Sequence, residues 1–226
     1  SVVSKLFKCA IQWDIVERNP CANVKKFPEN NARQRFLSPD EIRRFFKAMD
    51  KQSGRSVMTI AALKLLLLTG ARRNEALTAR WEHVDLERGT WFIPHTKSGR
   101  SHHVPLNEEA RALLENLPKR EGSPWVFPGR DPSKHVIDPR KCLDALMDEA
   151  GIERIRIHDL RHSFASLCAQ SGASLYLIKQ LLNHADMVTT QRYAHLTADN
   201  LREASQQVSA VISDALKANR QETAET

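Results

Sequence analysis

Six side chains, spread over four short stretches of the sequence, could together act on a phosphodiester. They are Arg72, Lys97, His158, Arg161, His184 and Tyr193. The stretches that contain them are TGARRNE (69–75), HTKSGRSHHVPL (95–106), HDLRHSFAS (158–166) and LLNHADMVTTQRYAHL (181–196). The set supplies two guanidinium groups, one ammonium group, two imidazoles and one phenol. Such a set suits attack by a tyrosine on the phosphorus, with no metal ion needed to carry the charge.

Two of these residues have the side chain that best fits a reacting phosphate. The non-bridging oxygens of a five-coordinate phosphorus need donors that stay charged at any cellular pH, and a planar guanidinium can hold two oxygens at once. Arg72 and Arg161 are the candidates for this task. Arg161 follows His158 by three residues near a predicted helix start, so both side chains can share one face. Glu75 is interpreted as a carboxylate that orients an arginine.

Lys97 and Tyr193 have the side chains of an acid and a nucleophile. Lys97 lies in T-K-S-G-R between two β-type runs, where a tight turn would present its ammonium group to a leaving oxygen. Of the two tyrosines, Tyr176 lies among apolar residues of a helical stretch and is interpreted as structural. Tyr193 follows the loop-like ADMVTT. A phenolate both attacks and leaves well, so a phosphotyrosine link conserves the bond energy for religation.

Other interpretations of the same residues stay open at this level. Taken alone, HDLRH is compatible with a surface helix, and Lys97 with an exposed turn lysine. His158 and His162 have i, i+4 spacing, and His184 could add a third ligand for a metal ion. No glutamate follows the first histidine as it does in HExxH, which disfavours the metal site.

The segments that must position these residues are mostly helical. Apolar spacing predicts helices within residues 1–17, 57–80 and 138–216. Breaks are predicted at Thr69-Gly70, Gly151, Gly172 and Ala185-Asp186. Ser38-Pro39-Asp40-Glu41 predicts a capped helix start, and Asn107 predicts another.

Two short β-type runs, TWFI and HHVPL, predict a small antiparallel sheet. The expected fold class is therefore α+β, mainly α with a small antiparallel β-sheet.

Composition limits the class of protein and of partner. A chain of 226 residues can bury a sizeable core. Its net charge of +7 favours a polyanionic partner. The four cysteines are scattered and form no CxxC pair, and the size of the chain together with no recognised secretory leader favours a cytosolic protein with reduced thiols. The longest apolar run, residues 60–68, is too short to span a bilayer and is interrupted by Lys64. No signal peptide is recognised.

With its motifs in this order, the chain resembles the catalytic domain of the tyrosine recombinases, the phage-integrase family of DNA breaking-and-joining enzymes. The resemblance runs from about residue 36 to about residue 200 and implies the tyrosine recombinase catalytic-domain fold. It implies that Arg72 and Arg161 clamp the phosphate and that Glu75 supports Arg72. Asn183 departs from the pattern, because the family usually has glycine before the histidine of this motif.

The remaining roles also come from the resemblance. Lys97 would protonate the leaving 5′ oxygen, and His158 would be the acid/base helper. His184 would hydrogen-bond the phosphate, and Tyr193 would be the nucleophile.

The resemblance also implies a domain organisation. Four segments are expected: the last helix of a truncated N-terminal core-DNA-binding domain (1–22), a basic linker (23–37), the catalytic domain (38–200) and a C-terminal helix and tail (201–226). The last segment could dock on a neighbouring protomer. Since the chain begins at Ser1, a fragment of a longer protein is expected.

The function implied is site-specific DNA recombination through a 3′-phosphotyrosine intermediate, by a prophage or mobile-element integrase. The alternatives are a chromosome-dimer-resolving recombinase, a topoisomerase-like nicking and sealing enzyme, and a DNA-binding domain without activity. The implied partners are double-stranded DNA and a homotetramer on synapsed DNA, with a free monomer and accessory DNA-bending proteins as further candidates. No metal, nucleotide cofactor or membrane is implied, and the expected location is the bacterial cytoplasm, at the nucleoid during action.

Overall fold

The computed structural model describes residues 2–25, 35–52, 57–96, 99 and 101–197. The chain forms two compact units, residues 1–34 and 35–226. In the first unit, helix α1 spans Val2–Gln12, and Asn19 donates a hydrogen bond from Nδ2 to the hydroxyl of Ser4 (3.2 Å). Of the helices in the described ranges, none combines the length and apolar content that crossing a bilayer requires.

The second unit is mainly helical, as predicted. Its helices are α2 (Pro39–Asp50), α3 (Val57–Thr69), α4 (Arg73–Leu77), α5 (Glu108–Glu115), α6 (Arg140–Ala150), α7 (Ile157–Gln170), α8 (Leu175–Leu182) and α9 (Val188–Gln191). Short 3-10 turns cover Trp81–His83 and Ala194–Thr197.

Both predicted helix starts are confirmed. The Ser38 hydroxyl accepts a hydrogen bond from the Glu41 amide (3.3 Å), and the Glu41 carboxylate accepts one from the Ser38 amide (2.9 Å). Asn107 accepts a bond from the Ala110 amide (2.9 Å) and begins α5. These side chains satisfy amide groups that a helix N-terminus leaves without a partner.

The predicted antiparallel sheet is also confirmed. Its three strands are β1 (Val84–Asp85), β2 (Thr90–Ile93) and β3 (His102–Pro105), in the order β1-β2-β3. Trp91 pairs with Val104, and both are buried. The connection from β2 to β3 contains Lys97, which lies outside the described residues, as does the predicted C-terminal helix and tail (201–226).

Helix α3 is the central element of the unit. Eight of its residues are buried, and α5, α6 and α7 pack against it. An apolar surface on every side is what a helix enclosed by its neighbours requires. A smaller apolar cluster joins α7 and α8 and consists of Ala165, Ala169, Ile178, Leu182 and Tyr193. The candidate nucleophile therefore belongs to the packing between α7 and the chain that follows α8.

Gly70 ends α3, where the sequence predicts a break. Its φ of +65° lies in the left-handed region that favours glycine. A Cβ at this position would lie 2.4 Å from Cδ1 of Phe164 and 2.7 Å from Cδ2 of Leu182. The missing side chain thus lets the turn before α4 approach α7 and α8 closely.

Replacing Gly70 with alanine is expected to destabilise the fold. The change adds left-handed strain and a steric overlap, together about 2–5 kcal/mol of unfolding free energy. Gly172→Ala is the matched control, since Gly172 has a φ of +89° but nothing within 4 Å of the added Cβ. Urea titrations of both variants measure the difference. Equal losses would show that the close approach at Gly70 does not matter.

Candidate active site

Helix α7 carries His158 in its first turn and Arg161 and His162 in its second. The Asp159 carboxylate accepts a hydrogen bond from the Arg156 amide (2.8 Å) and so fixes the start of the helix. One turn later, the buried Ser163 hydroxyl accepts a bond from the Leu37 amide (2.9 Å). His158, Arg161 and His162 lie between and beside these two anchors, so their positions along the helix are set by both.

Arg161 is the most enclosed cation of the candidate set, with 4% of its surface exposed. Its guanidinium donates to the carbonyl oxygens of Gly70 (2.7 Å) and Leu182 (2.6 Å). These carbonyls belong to the turn after α3 and to the end of α8. Burial, assisted by the nearby charge of Arg72, lowers the pKa of Arg161 to about 10, so the group stays charged at neutral pH.

Arg72 lies near enough to Arg161 for its charge to be felt there, and it is paired with Glu75. Glu75 accepts from Nη1 of Arg72 (2.8 Å) through one oxygen and from the Arg72 amide (2.8 Å) through the other. Nη2 of Arg72 donates to the Asn183 carbonyl (3.0 Å). The Glu75 side chain is 9% exposed and the Arg72 side chain 25%. The contact with Arg72 is the one that the sequence predicts for Glu75.

Asn183 forms the turn that carries His184. It ends α8 with φ 49° and ψ 50°, and the His184 amide donates to the Lys179 carbonyl (3.1 Å). Asparagine tolerates this left-handed conformation better than most residues other than glycine, so the departure at Asn183 keeps the backbone that glycine would adopt. Nδ1 of His184 lies 2.8 Å from the buried hydroxyl of Thr190.

The Tyr193 side chain lies against α7, with 4% of the residue exposed. Its hydroxyl is 2.6 Å from Nδ1 of His162. The contact joins residues 31 positions apart, and the sequence predicts no role for His162 beyond a metal ligand. Its i, i+4 spacing from His158 is the signal that could have included it. Tyr176, interpreted as structural, is 61% exposed, and its hydroxyl accepts a bond from Gln180 (2.9 Å).

His158 is exposed at the edge of this group. Its ring lies edge-to-face on the His162 ring, with centroids 4.7 Å apart. Arg72, Glu75 and His158 also line one cleft of about 940 Å³. The structure thus brings together five of the six candidates, and Lys97 is outside the described residues. Within the described ranges, no group of three or more His, Cys, Asp or Glu residues could hold a metal ion, so the alternative site of His158, His162 and His184 is not assembled.

The electrostatics of the site favour an anion. Arg72 is paired with Glu75, whereas Arg161 bonds only to backbone carbonyls and feels the Glu75 charge from a distance, so positive charge is in excess here. Burial, with the charges of Arg161 and Arg72 added to it, lowers the pKa of His184 to about 4. Burial and the neighbouring His158 lower that of His162 to about 4 as well. Burial raises the pKa of Tyr193 above its ordinary value, while Arg192 and Arg161 oppose the shift.

A sequence model described as "Phage integrase family" matches residues 35–200. The XerD tyrosine recombinase of Caulobacter vibrioides is 35% identical over 183 residues, which are 74% of this chain and 59% of that protein. The integrase of Salmonella phage P22 is 28% identical and covers 88% of this chain and 53% of its own length.

A solved structure shows the same fold. The XerH site-specific recombinase, bound to its difH substrate in a pre-cleavage complex, superposes with a TM-score of 0.66 and 25% identity. The superposition covers 89% of this chain and 62% of that one. The chain therefore spans between half and two thirds of the length of these three proteins.

Asn183→Gly is expected to be tolerated, whereas Asn183→Ala is expected to lose about 1–2 kcal/mol of unfolding free energy. Both changes remove the same side-chain amide, so their difference measures the left-handed backbone alone. Denaturant titration of the two variants provides the values. Equal stability of the two would contradict the account of this turn.

The free energy of unfolding is expected to rise between pH 5 and pH 6.5. His162 and His184 have pKa values of about 4 when folded, against 6.5 for an ordinary histidine, so the unfolded chain binds their protons more tightly. Their stabilising contribution is complete above pH 6.5 and is lost as the pH falls towards 4. Urea titrations at several pH values measure the slope, which should flatten when both histidines are replaced by asparagine. An unchanged slope in that double variant would be inconsistent with these pKa values.

Proposed function

We propose, because the chain belongs to the phage integrase family of tyrosine recombinases, that it cleaves and rejoins DNA through a 3′-phosphotyrosine intermediate. The observation that carries the proposal is the position of Tyr193. Its buried hydroxyl lies against α7, the helix that also presents Arg161. The candidate nucleophile is thus packed against the helix that carries the candidate phosphate-binding cation.

The phosphate is bound by the two arginines in this proposal. Arg161 uses two of its five N–H groups on the carbonyls of Gly70 and Leu182, which leaves three for phosphate oxygens. Glu75 orients Arg72, and His184 adds a hydrogen bond to the same phosphate. The excess positive charge of the site stabilises the additional negative charge of the five-coordinate phosphorus.

The cleavage step balances with these groups. The bond from Tyr193 Oη to phosphorus forms, and the bond from phosphorus to the 5′ oxygen breaks. The leaving oxygen keeps the electron pair and takes a proton from Lys97, while His158 accepts the phenol proton. Attack by a 5′-hydroxyl on the phosphotyrosine reverses the step and rejoins the strands. No metal ion or nucleotide has a role in this scheme.

The proposal extends to domains, partners and location. Residues 1–22 would form the last helix of a core-DNA-binding domain, and the basic linker at 23–37 would join it to the catalytic domain at 38–200. The C-terminal segment, 201–226, would dock on a neighbouring protomer. Double-stranded DNA is the substrate, on which four protomers exchange strands. The protein would act at the nucleoid in the bacterial cytoplasm.

Two biological settings compete for this chemistry. Integration of a prophage or mobile element is the function proposed first, in keeping with the similarity to the phage P22 integrase. Resolution of chromosome dimers is the second candidate, and the 35% identity to XerD of Caulobacter vibrioides favours it. Nicked duplexes that carry the element's attachment core or the host's dimer-resolution site separate the two. The duplex on which covalent adduct accumulates identifies the setting.

Tyr193→Phe is expected to abolish the covalent protein–DNA adduct and to leave DNA affinity within about twofold, since only the attacking oxygen is lost. The adduct is measured on a denaturing gel with a nicked suicide duplex and chelator present. Tyr176→Phe is the matched control and should form adduct as the parent chain does. Adduct formation by Tyr193→Phe would refute the assignment.

A further inference from the structure

His162 makes a close side-chain contact with the proposed nucleophile, and the proposed reaction gives it no task. Its Nδ1 lies 2.6 Å from Tyr193 Oη. On the other side of the ring, Nη1 of Arg192 lies 3.5 Å from Nε2. Both ring nitrogens therefore face a polar group.

The position of Arg192 favours one tautomer of the neutral His162 imidazole. A guanidinium group can only donate hydrogen bonds, so an Arg192 N–H group 3.5 Å from Nε2 favours the tautomer in which Nε2 has a free lone pair. In a neutral imidazole with an accepting Nε2, the single N–H is on Nδ1. In that tautomer the N–H on Nδ1 faces the phenol oxygen, which then acts as the acceptor in the pair with Tyr193.

We propose that His162 is a positioning residue whose neutral imidazole donates Nδ1–H to the Tyr193 oxygen, holding it for attack and stabilising the phenolate as it forms. This inference rests on the proposed function of Tyr193 and extends it. The phenol proton passes to another base, because Nδ1 already carries a hydrogen. His162 therefore gains and loses no proton during the reaction.

The surroundings of His162 keep it neutral. The charged and titratable groups that face it are His158, Asp159 and Arg161 on its own helix and Arg192 and Tyr193 on the following segment. The cations and burial outweigh Asp159, so the pKa of His162 falls to about 4. A group with this pKa is a poor base near neutral pH but remains a competent hydrogen-bond donor.

Two substitutions distinguish a hydrogen-bond donor at position 162 from a base and from a residue that only packs. His162→Asn places an amide N–H at the distance from the backbone that Nδ1 occupies, and it cannot act as a base. His162→Leu fills similar space and offers no donor. We expect His162→Leu to slow adduct formation on the order of 10²-fold, as loss of one donor to a developing oxyanion does. His162→Asn should recover most of that loss.

The result that would overturn the proposal is an equal rate for both variants. Equal slow rates would indicate that His162 is the base or only a packing residue, and rates equal to the parent would indicate no role. Unfolding midpoints and DNA affinity of each variant are measured alongside, so that rates are compared between folded, DNA-bound proteins.

A second measurement does not depend on activity. Nitrogen-15 NMR of the histidine-labelled chain distinguishes the protonated from the unprotonated ring nitrogen. We expect Nδ1 to carry the hydrogen near neutral pH, and Tyr193→Phe to shift its signal. A hydrogen on Nε2, or on both nitrogens, would overturn the inference. Failure of the parent chain to form any adduct would instead count against the proposed function, and the NMR result would still stand.

Discussion

The buried guanidinium of Arg161 is the interaction on which the arrangement of the site depends. It joins three parts of the chain, because α7 carries it and its donors reach the carbonyls of Gly70 and Leu182. The first carbonyl precedes Arg72, and the second precedes the turn of Asn183 and His184. A cation this deeply buried is costly unless hydrogen bonds compensate it. These hydrogen bonds thus hold the charged group in a fixed place within the fold.

The distribution of charge around this cation accounts for the states of its neighbours. Glu75 pairs with Arg72, and Arg161 is bonded to carbonyl oxygens alone, so the local field favours anions and disfavours further protonation. Burial is the main cause of the low pKa values of His162 and His184, with His158 and Arg192 adding to it at His162 and the two arginines adding to it at His184. Neutral imidazoles can form hydrogen bonds in the proposed reaction without adding charge to the site. The chemistry proposed for the site therefore depends on fixed donors, with the phosphate supplying the missing negative charge.

Much of the fold could be predicted from the sequence, because the signals were local. The capping box at Ser38, the cap at Asn107 and the break at Gly70 each depend on a few neighbouring residues. The pairing of His162 with Tyr193 could not be predicted in this way. It depends on how the segment after α9 packs against α7, across 31 positions of sequence. The motif order indicated which residues share a site, but not which groups touch within it.

The most direct test of the central claim is to identify the residue that becomes covalently bonded to DNA. The adduct formed on a nicked duplex in the presence of chelator is digested with protease and nuclease, and the modified peptide is sequenced by mass spectrometry. The account predicts a nucleotide joined through its 3′ phosphate to Tyr193. Attachment to any other residue, or through a 5′ phosphate, would contradict it.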